Sequence, residues 1–260
     1  MSTSYETVKV SKKDFIGTIT LNRPESLNTF TIQLAQDLNS ALHEMDADDE
    51  VRVIIINGAG KAFCAGIDVN GLEGRSPLEL YEWVSEMEKM SLTIAAMAKP
   101  VIAAVHNVAV ANGIGLVASA DLAIASEDAR FGATAVKVGL FCMGPAVPLS
   151  KCLGRKKALE LVLTGDLIDA KEAERIGLVN KVVPKEDLEK EAIAMAKKIA
   201  EFSPLGVQLG KKSFYRCADL EYSKAFEMVN NHFAMLCTTE DAKEGVSAFL
   251  EKRTPDWKLK

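Results

Sequence analysis

Cysteine is sparse and unpatterned in this chain. Its five thiols, Cys64, Cys142, Cys152, Cys217 and Cys237, are odd in number and never fall in a C-x-x-C spacing, so neither a disulfide framework nor a zinc or other metal site is implied. A reducing, cytoplasmic setting fits that usage. Basic excess is missing as well: 31 Lys and Arg stand against 36 Asp and Glu, a net charge of −5, and the cations are scattered. Nucleic-acid and anionic-membrane partners, which call for a basic footprint, are therefore not expected. Long apolar runs are absent, because the longest candidates are interrupted by Asn, Gly or Asp, so no membrane span is expected. The N-terminal residues 1–7 have neither the apolar core nor the Arg-rich pattern of a targeting segment.

What is present is a chain of 260 residues, 48% of them apolar, enough to bury a substantial core as one large domain or one domain with a small appendage. The organising stretch is 99–121. It opens with 101–105, an uncharged β-branched run expected to be a strand buried on both faces. His106, Asn107, Asn112, Gly113 and Gly115 then interrupt a small-residue apolar segment, 109–120, that reads as a tightly packed helix. A strand entering a helix through such a turn aims the helix's free N–H groups, and the positive end of its dipole, at whatever lies above the strand. That geometry suits developing negative charge.

Around this centre, 8–10 and 16–21 alternate as a hairpin across a polar turn at 11–14. Thr31 opens a helix with Leu34, Leu38, Ala41, Leu42 and Met45 on one face. Residues 51–57 form a second buried strand that ends in a small-residue loop, 58–68. Strand, helix, strand, loop is the order of a parallel α/β sheet, where ligand sites gather at the carboxyl ends of strands. Segment 72–98 is more polar and carries a helical stripe of Trp83, Met87, Met90 and Ile94, which suits a flap. Residues 122–125 are a third strand and 131–144 an irregular, Gly-containing stretch. Helices follow at 156–163, 171–176 and 186–202. Sheet-like segments stop between Pro184 and Pro204. The expected division is an α/β core over 1–200 and a helical C-terminal region over 201–260, too small to bury its apolar face alone.

Six segments, in order, carry a resemblance. They are Asn22-Arg23-Pro24-Glu25-Ser26-Leu27-Asn28, Phe63-Cys64-Ala65-Gly66-Ile67-Asp68, Lys99-Pro100-Val101-Ile102-Ala103-Ala104-Val105, Leu163-Thr164-Gly165, Arg175-Ile176-Gly177-Leu178-Val179, and Glu240-Asp241-Ala242-Lys243-Glu244-Gly245 with Phe249-Leu250-Glu251-Lys252-Arg253. Over residues 22–253 the chain resembles the crotonase superfamily, the enoyl-CoA hydratase/isomerase fold. The resemblance implies an α/β fold of repeated ββα turns in a spiral, forming two roughly perpendicular sheets, with a C-terminal helical region that builds a homotrimer or a dimer of trimers. It also implies an acyl-CoA thioester as ligand, with coenzyme A arriving as part of the substrate and no separate cofactor. The oxyanion hole would be the backbone N–H groups of Ile67 and Asn112. Ser26, Leu27, Ala65, Asp68 and Val69 would line the CoA path, with Gly113 and Ala135 beside the substrate, Lys61 near the phosphates, and Phe249 and Lys252 reaching a neighbouring subunit's nucleotide.

The chain also departs from that pattern. Hydratases of this family carry two glutamates, and Gly115 and Ala135 stand in their places. The usual Gly-Gly-Gly becomes Ala111-Asn112-Gly113, and Pro-Gly-Ala-Gly-Gly becomes Cys142-Met143-Gly144-Pro145-Ala146. A positioned acid or base contributes about 10²–10⁴-fold and an oxyanion donor about 10²–10³-fold. Simple hydration should therefore be crippled, while enolate chemistry through backbone donors survives. As replacement groups, Cys142 and Asp68 are candidates, Asp68 more as a loop holder and Cys142 as a thiol nucleophile only in an electropositive setting. His106 suits a satisfied turn, and Glu73, Tyr81, Glu82 and Glu86 suit solvent. A left-handed backbone is an alternative reason for Asn112. The leading expectation is an enzyme of the hydratase/isomerase type; the alternatives are a catalytically silent acyl-CoA-binding protein and a thioester hydrolase.

Overall fold

The computed structural model describes residues 4–259; Met1, Ser2 and Thr3, on which part of the targeting-segment reading rests, lie outside the described residues. β1 (Val8–Lys13) and β2 (Ile16–Leu21) pair antiparallel from Val8 opposite Leu21 to Lys13 opposite Ile16. Asp14 and Phe15 alone make the turn, with φ of 52° and 63°. Two left-handed residues give the turn a twist that matches the strands' own, so the strand continues through 11–13 where a four-residue polar turn is expected from sequence. α1 (Ile32–Ala47) is started by Thr31, whose hydroxyl accepts the Leu34 amide at 3.2 Å.

The chain continues through β3 (Val53–Gly58), α2 (Pro77–Ala96), β4 (Val101–Val105), β5 (Val108–Val110), α3 (Asn112–Ser119), β6 (Leu122–Ser126), β7 (Arg130–Gly132), α4 (Met143–Cys152) and α5 (Arg155–Thr164). Then come β8 (Ile168–Asp169), α6 (Ala170–Arg175), β9 (Lys181–Val183), α7 (Leu188–Ala200), α8 (Pro204–Cys217), α9 (Tyr222–Cys237) and α10 (Glu240–Glu251). One expected boundary moves. Residues 108–110 are a strand rather than the entry to the helix, because they pair in parallel with Arg130–Gly132 while Ala109 also bridges Cys64. Backbone partners on both sides outweigh the small-residue helical pattern. The irregular stretch 131–144 resolves into the end of β7, a helical turn Thr134–Val138 and the start of α4.

Six strands form one sheet in the order β1-β2-β3-β4-β6-β9, parallel from β2 onward, and three form a second in the order β5-β7-β8. Period-two alternation sorts the large sheet's side chains into two cores. Ile54, Ile56, Val101, Ala103 and Val105 join α1, α2 and α3 on one face, while Val53, Ile55, Ile102, Ala104 and Ile124 meet Leu188, Ala192, Ala196 and Ala200 of α7 on the other. Burying each Val, Ile and Leu side chain among them contributes about 1.5–3 kcal/mol, and the central strands are covered on both faces as their uncharged sequence predicts. α2 is no loose flap: Trp83, Met87, Met90 and Ile94 all lie in the first core.

A half-buried polar knot ties the helices after Ala200 to the sheet. Asp121 accepts the Val101 amide at 2.7 Å, the Lys211 ammonium at 2.7 Å and the Tyr215 hydroxyl at 2.9 Å. No helix among the described residues is long and apolar enough to cross a membrane.

Candidate functional site

Two turns meet beyond the carboxyl ends of β3 and β4. The loop after β3 runs beside β5, with Cys64 N donating to Val108 O and Val110 N to Cys64 O, both at 3.0 Å. This pairing sets Gly66 against Ala111, where a Cβ on Gly66 would stand 2.9 Å from the Ala111 Cβ. Gly66 has φ of 103° and Ala111 of 48°. The left-handed residue is therefore Ala111, not Asn112, which is the first helical residue of α3. An alanine held there stores strain of roughly 1 kcal/mol or more. On the other side of Asn112, a Cβ on Gly113 would overlap the Cys64 carbonyl oxygen, so only glycine lets α3 approach the loop so closely.

The residues that follow Gly66 and Ala111 are Ile67 and Asn112. Their neighbours' amides are used: Asp68 N donates to Phe30 O at 2.8 Å and Ala111 N to Gly132 O at 2.9 Å. Neither Ile67 N nor Asn112 N donates to a backbone acceptor among the described residues. Two unspent donors on abutting turns, one at the positive end of a helix, are suited to a carbonyl oxygen that gains charge.

The wall beside α3 is built differently. Gly115 is buried, and a Cβ there would lie 3.1 Å from Pro145 Cβ and 3.2 Å from its Cα, so the Pro145 ring of α4 fills the space a side chain on this turn would use. Ala135 sits half-buried in the turn Thr134–Val138, packed on the main core. Cys142 precedes α4; burial pushes its thiol pKa up, the opposite of what a thiolate nucleophile needs. Cys64, fully buried beneath the loop, is pushed up to about 12 by the same cause.

One acid on α2 does not stand out from the sequence. Tyr81 is exposed, Glu79 caps the helix with Ser76, and Glu86 pairs with Lys89; Glu73 and Glu82 are exposed as well. Glu88 instead turns inward. Its carboxylate occupies the space over Gly144, where a Cβ would overlap it, and burial raises its pKa. The signal was faint: Glu88 flanks the apolar stripe between Met87 and Met90, but only the fold supplies Gly144 opposite it.

The remaining expected residues divide into two groups. Near the turns, Ala65 N donates to Leu27 O at 3.0 Å, which joins the 26–27 segment to the loop that carries Asp68 and Val69. Asp68 accepts the Asn70 amide at 3.2 Å and lies 3.9 Å from Arg23, so it fastens that loop. Lys61 is exposed on a turn pinned by His106, whose Nε2 sits 3.1 Å from Gly60 O. Phe249 and Lys252 are far along the chain at the end of α10, which packs chiefly on α8 and α9, and Phe249 is exposed. Among the described residues no group of three or more His, Cys, Asp or Glu is placed to hold a metal ion.

Comparison with known proteins places the chain in a family. Residues 11–260 match the sequence model described as Enoyl-CoA hydratase/isomerase. A protein of Rhizobium meliloti named "Probable enoyl-CoA hydratase" is 38% identical over 258 residues, 98% of this chain and 99% of that one. The human "Enoyl-CoA hydratase domain-containing protein 3, mitochondrial" is 37% identical over 246 residues, 94% of this chain and 81% of that one. Among solved structures, an enoyl-CoA hydratase of Mycobacterium smegmatis superposes with a TM-score of 0.93 at 38% identity, covering 97% of this chain and 99% of that one.

Proposed function

This chain belongs to the enoyl-CoA hydratase/isomerase family, and from that premise we propose that it holds the thioester oxygen of an acyl-CoA between the amides of Ile67 and Asn112 and works through an enolate. The observation that carries this reading is the pair of unspent N–H groups on turns that touch at Gly66 and Ala111. As charge moves onto the thioester oxygen, those bonds strengthen; losing one such donor costs about 10²–10³ in rate. Coenzyme A is part of the substrate and runs past Ser26, Leu27, Ala65, Asp68 and Val69, with Lys61 toward its phosphates. Because Gly115 and Ala135 bring no carboxylate, and Pro145 fills the space at Gly115, water addition across a double bond is expected to be weak. Burial disfavours the Cys142 thiolate, which counts against hydrolysis through that thiol.

The test is the infrared stretch of a ¹³C-labelled thioester carbonyl in crotonyl-CoA. Two strong hydrogen bonds lower its frequency on binding; a bound ligand with an unshifted stretch overturns the reading. A correctly folded protein that binds thioesters but turns over none of a panel would mark a silent acyl-CoA binder instead.

Assembly and compartment belong to the same proposal. Exposed Phe214, Phe233, Phe249 and Leu250 on the C-terminal helices are an apolar surface of the kind that subunit contacts cover, which supports a homotrimer or a dimer of trimers. All five cysteines are free thiols, which supports a reducing compartment such as the cytoplasm, although relatives from Rattus norvegicus and Dictyostelium discoideum are named as mitochondrial.

A further inference from the structure

We propose that Glu88, reaching in from α2, is the group that moves protons at the acyl carbons next to the thioester. Three observations converge on it. Its carboxylate lies over the backbone of Gly144 in the first turn of α4, in space that exists only because residue 144 lacks a Cβ. The next residue, Pro145, is the one packed on Gly115, one turn beyond Asn112. A carboxylate missing from α3 is thus matched by one that α2 delivers to the same wall. The third observation is that Glu88 has no structural employment: no described group donates a hydrogen bond or ion pair to it, in contrast to Glu79, which is bonded to Ser76, and Glu86, paired with Lys89. A half-buried carboxyl without a partner is costly to keep, and such groups collect where a side chain works on a ligand. Its burial raises its pKa, toward the range in which a carboxyl both takes and returns a proton near neutrality.

The step rests on the oxyanion reading above. A Glu88 oxygen forms a bond to the hydrogen on the acyl α carbon. The C–H electron pair becomes a carbon–carbon double bond to the carbonyl carbon, and the carbonyl π pair moves onto the oxygen between the Ile67 and Asn112 amides. Return of the proton from the Glu88 carboxyl to the α carbon restores the thioester, and delivery to the γ carbon of an unsaturated chain relocates its double bond. No atom is gained or lost.

The experiment is exchange of the α hydrogens of butyryl-CoA in D₂O, followed by mass spectrometry, with binding of the same ester measured by calorimetry. Wild type is expected to incorporate deuterium. Glu88→Gln should slow exchange by about 10²–10⁴-fold with affinity changed by less than about twofold, its melting temperature equal or higher because an unpartnered, half-buried carboxyl is gone. Glu88→Asp should retain part of the rate. Gly144→Ala, which keeps Glu88 but puts a Cβ where its carboxylate lies, should lose exchange as Glu88→Gln does. Exchange by Glu88→Gln at the wild-type rate overturns the proposal and leaves the oxyanion reading intact. Binding by wild type without any exchange overturns both the Glu88 role and the enolate step.

Discussion

Gly113 and Ala111 flank Asn112 and place opposite demands on the backbone. A methyl on Gly113 meets the Cys64 carbonyl oxygen, whereas Ala111 is held at φ of 48°. Gly113→Ala is therefore expected to destabilise the protein by about 1–3 kcal/mol, as overpacking against backbone does, and to weaken thioester binding by pushing α3 off the loop. Ala111→Gly, which relieves a left-handed alanine, should be neutral or stabilising by up to about 1 kcal/mol. Urea midpoints at an unchanged slope measure both. The resemblance to the crotonase family implied Ile67 and Asn112 as oxyanion donors, and the turns that carry them were legible in the sequence as glycine and small residues at fixed offsets after a strand. Glu88 and Pro145 were not. Their meaning comes from Gly144 and Gly115, to which no spacing along the chain connects them.

Helices and strands here are joined at a few polar points, and these set the response to acid. Asp128, in the turn between β6 and β7, accepts from Lys185 at 2.7 Å ahead of α7 and from the Asn107 amide at 3.4 Å ahead of β5, as well as from Ser126. Burial works against its ionisation, but the Lys185 ammonium, the Ser126 hydroxyl and the Asn107 amide together hold its pKa down to about 2, below the ordinary 3.8. A carboxyl depressed in the folded state stabilises above its unfolded pKa, and that contribution fades as pH falls from about 4 toward 2. The Asp128 side chain is 40% exposed, so solvent screening reduces the contribution to about 1 kcal/mol. Asp128→Asn should be less stable than wild type at pH 6 by about that amount, with the gap closing near pH 2, as read from denaturant titrations at both values. α1 shows the same local logic: Thr31→Ala removes the hydroxyl that accepts the Leu34 amide and should cost about 1 kcal/mol, visible in thermal melts. Helix starts such as Thr31 are readable from sequence, as is the two-faced burial of Val101–Val105. The strand 108–110 is not, because its partners, Cys64 and Arg130–Gly132, lie far away along the chain.

For the whole molecule, the exposed aromatic surface of the C-terminal helices sets an expectation for assembly. Sedimentation should return a multiple of the 28.1 kDa chain, three or six copies, and Phe233→Asp, placing charge on a side chain that is 68% exposed in the single chain, should shift it toward monomer while leaving the helical signal in circular dichroism. A wild-type protein that sediments as a monomer at micromolar concentration would remove that expectation. By itself the amino-acid order determined the α/β class, the buried parallel strands, the two small-residue turns after β3 and ahead of α3, and the helical C-terminal part, because each follows from periodicity or turn chemistry among near neighbours. Only the tertiary structure decided that Ala111 rather than Asn112 takes the left-handed bend, that Pro145 closes the space at Gly115, and that Glu88 reaches Gly144. Those outcomes depend on where separate helices come to rest against one another, and packing across a core is not written in any local spacing.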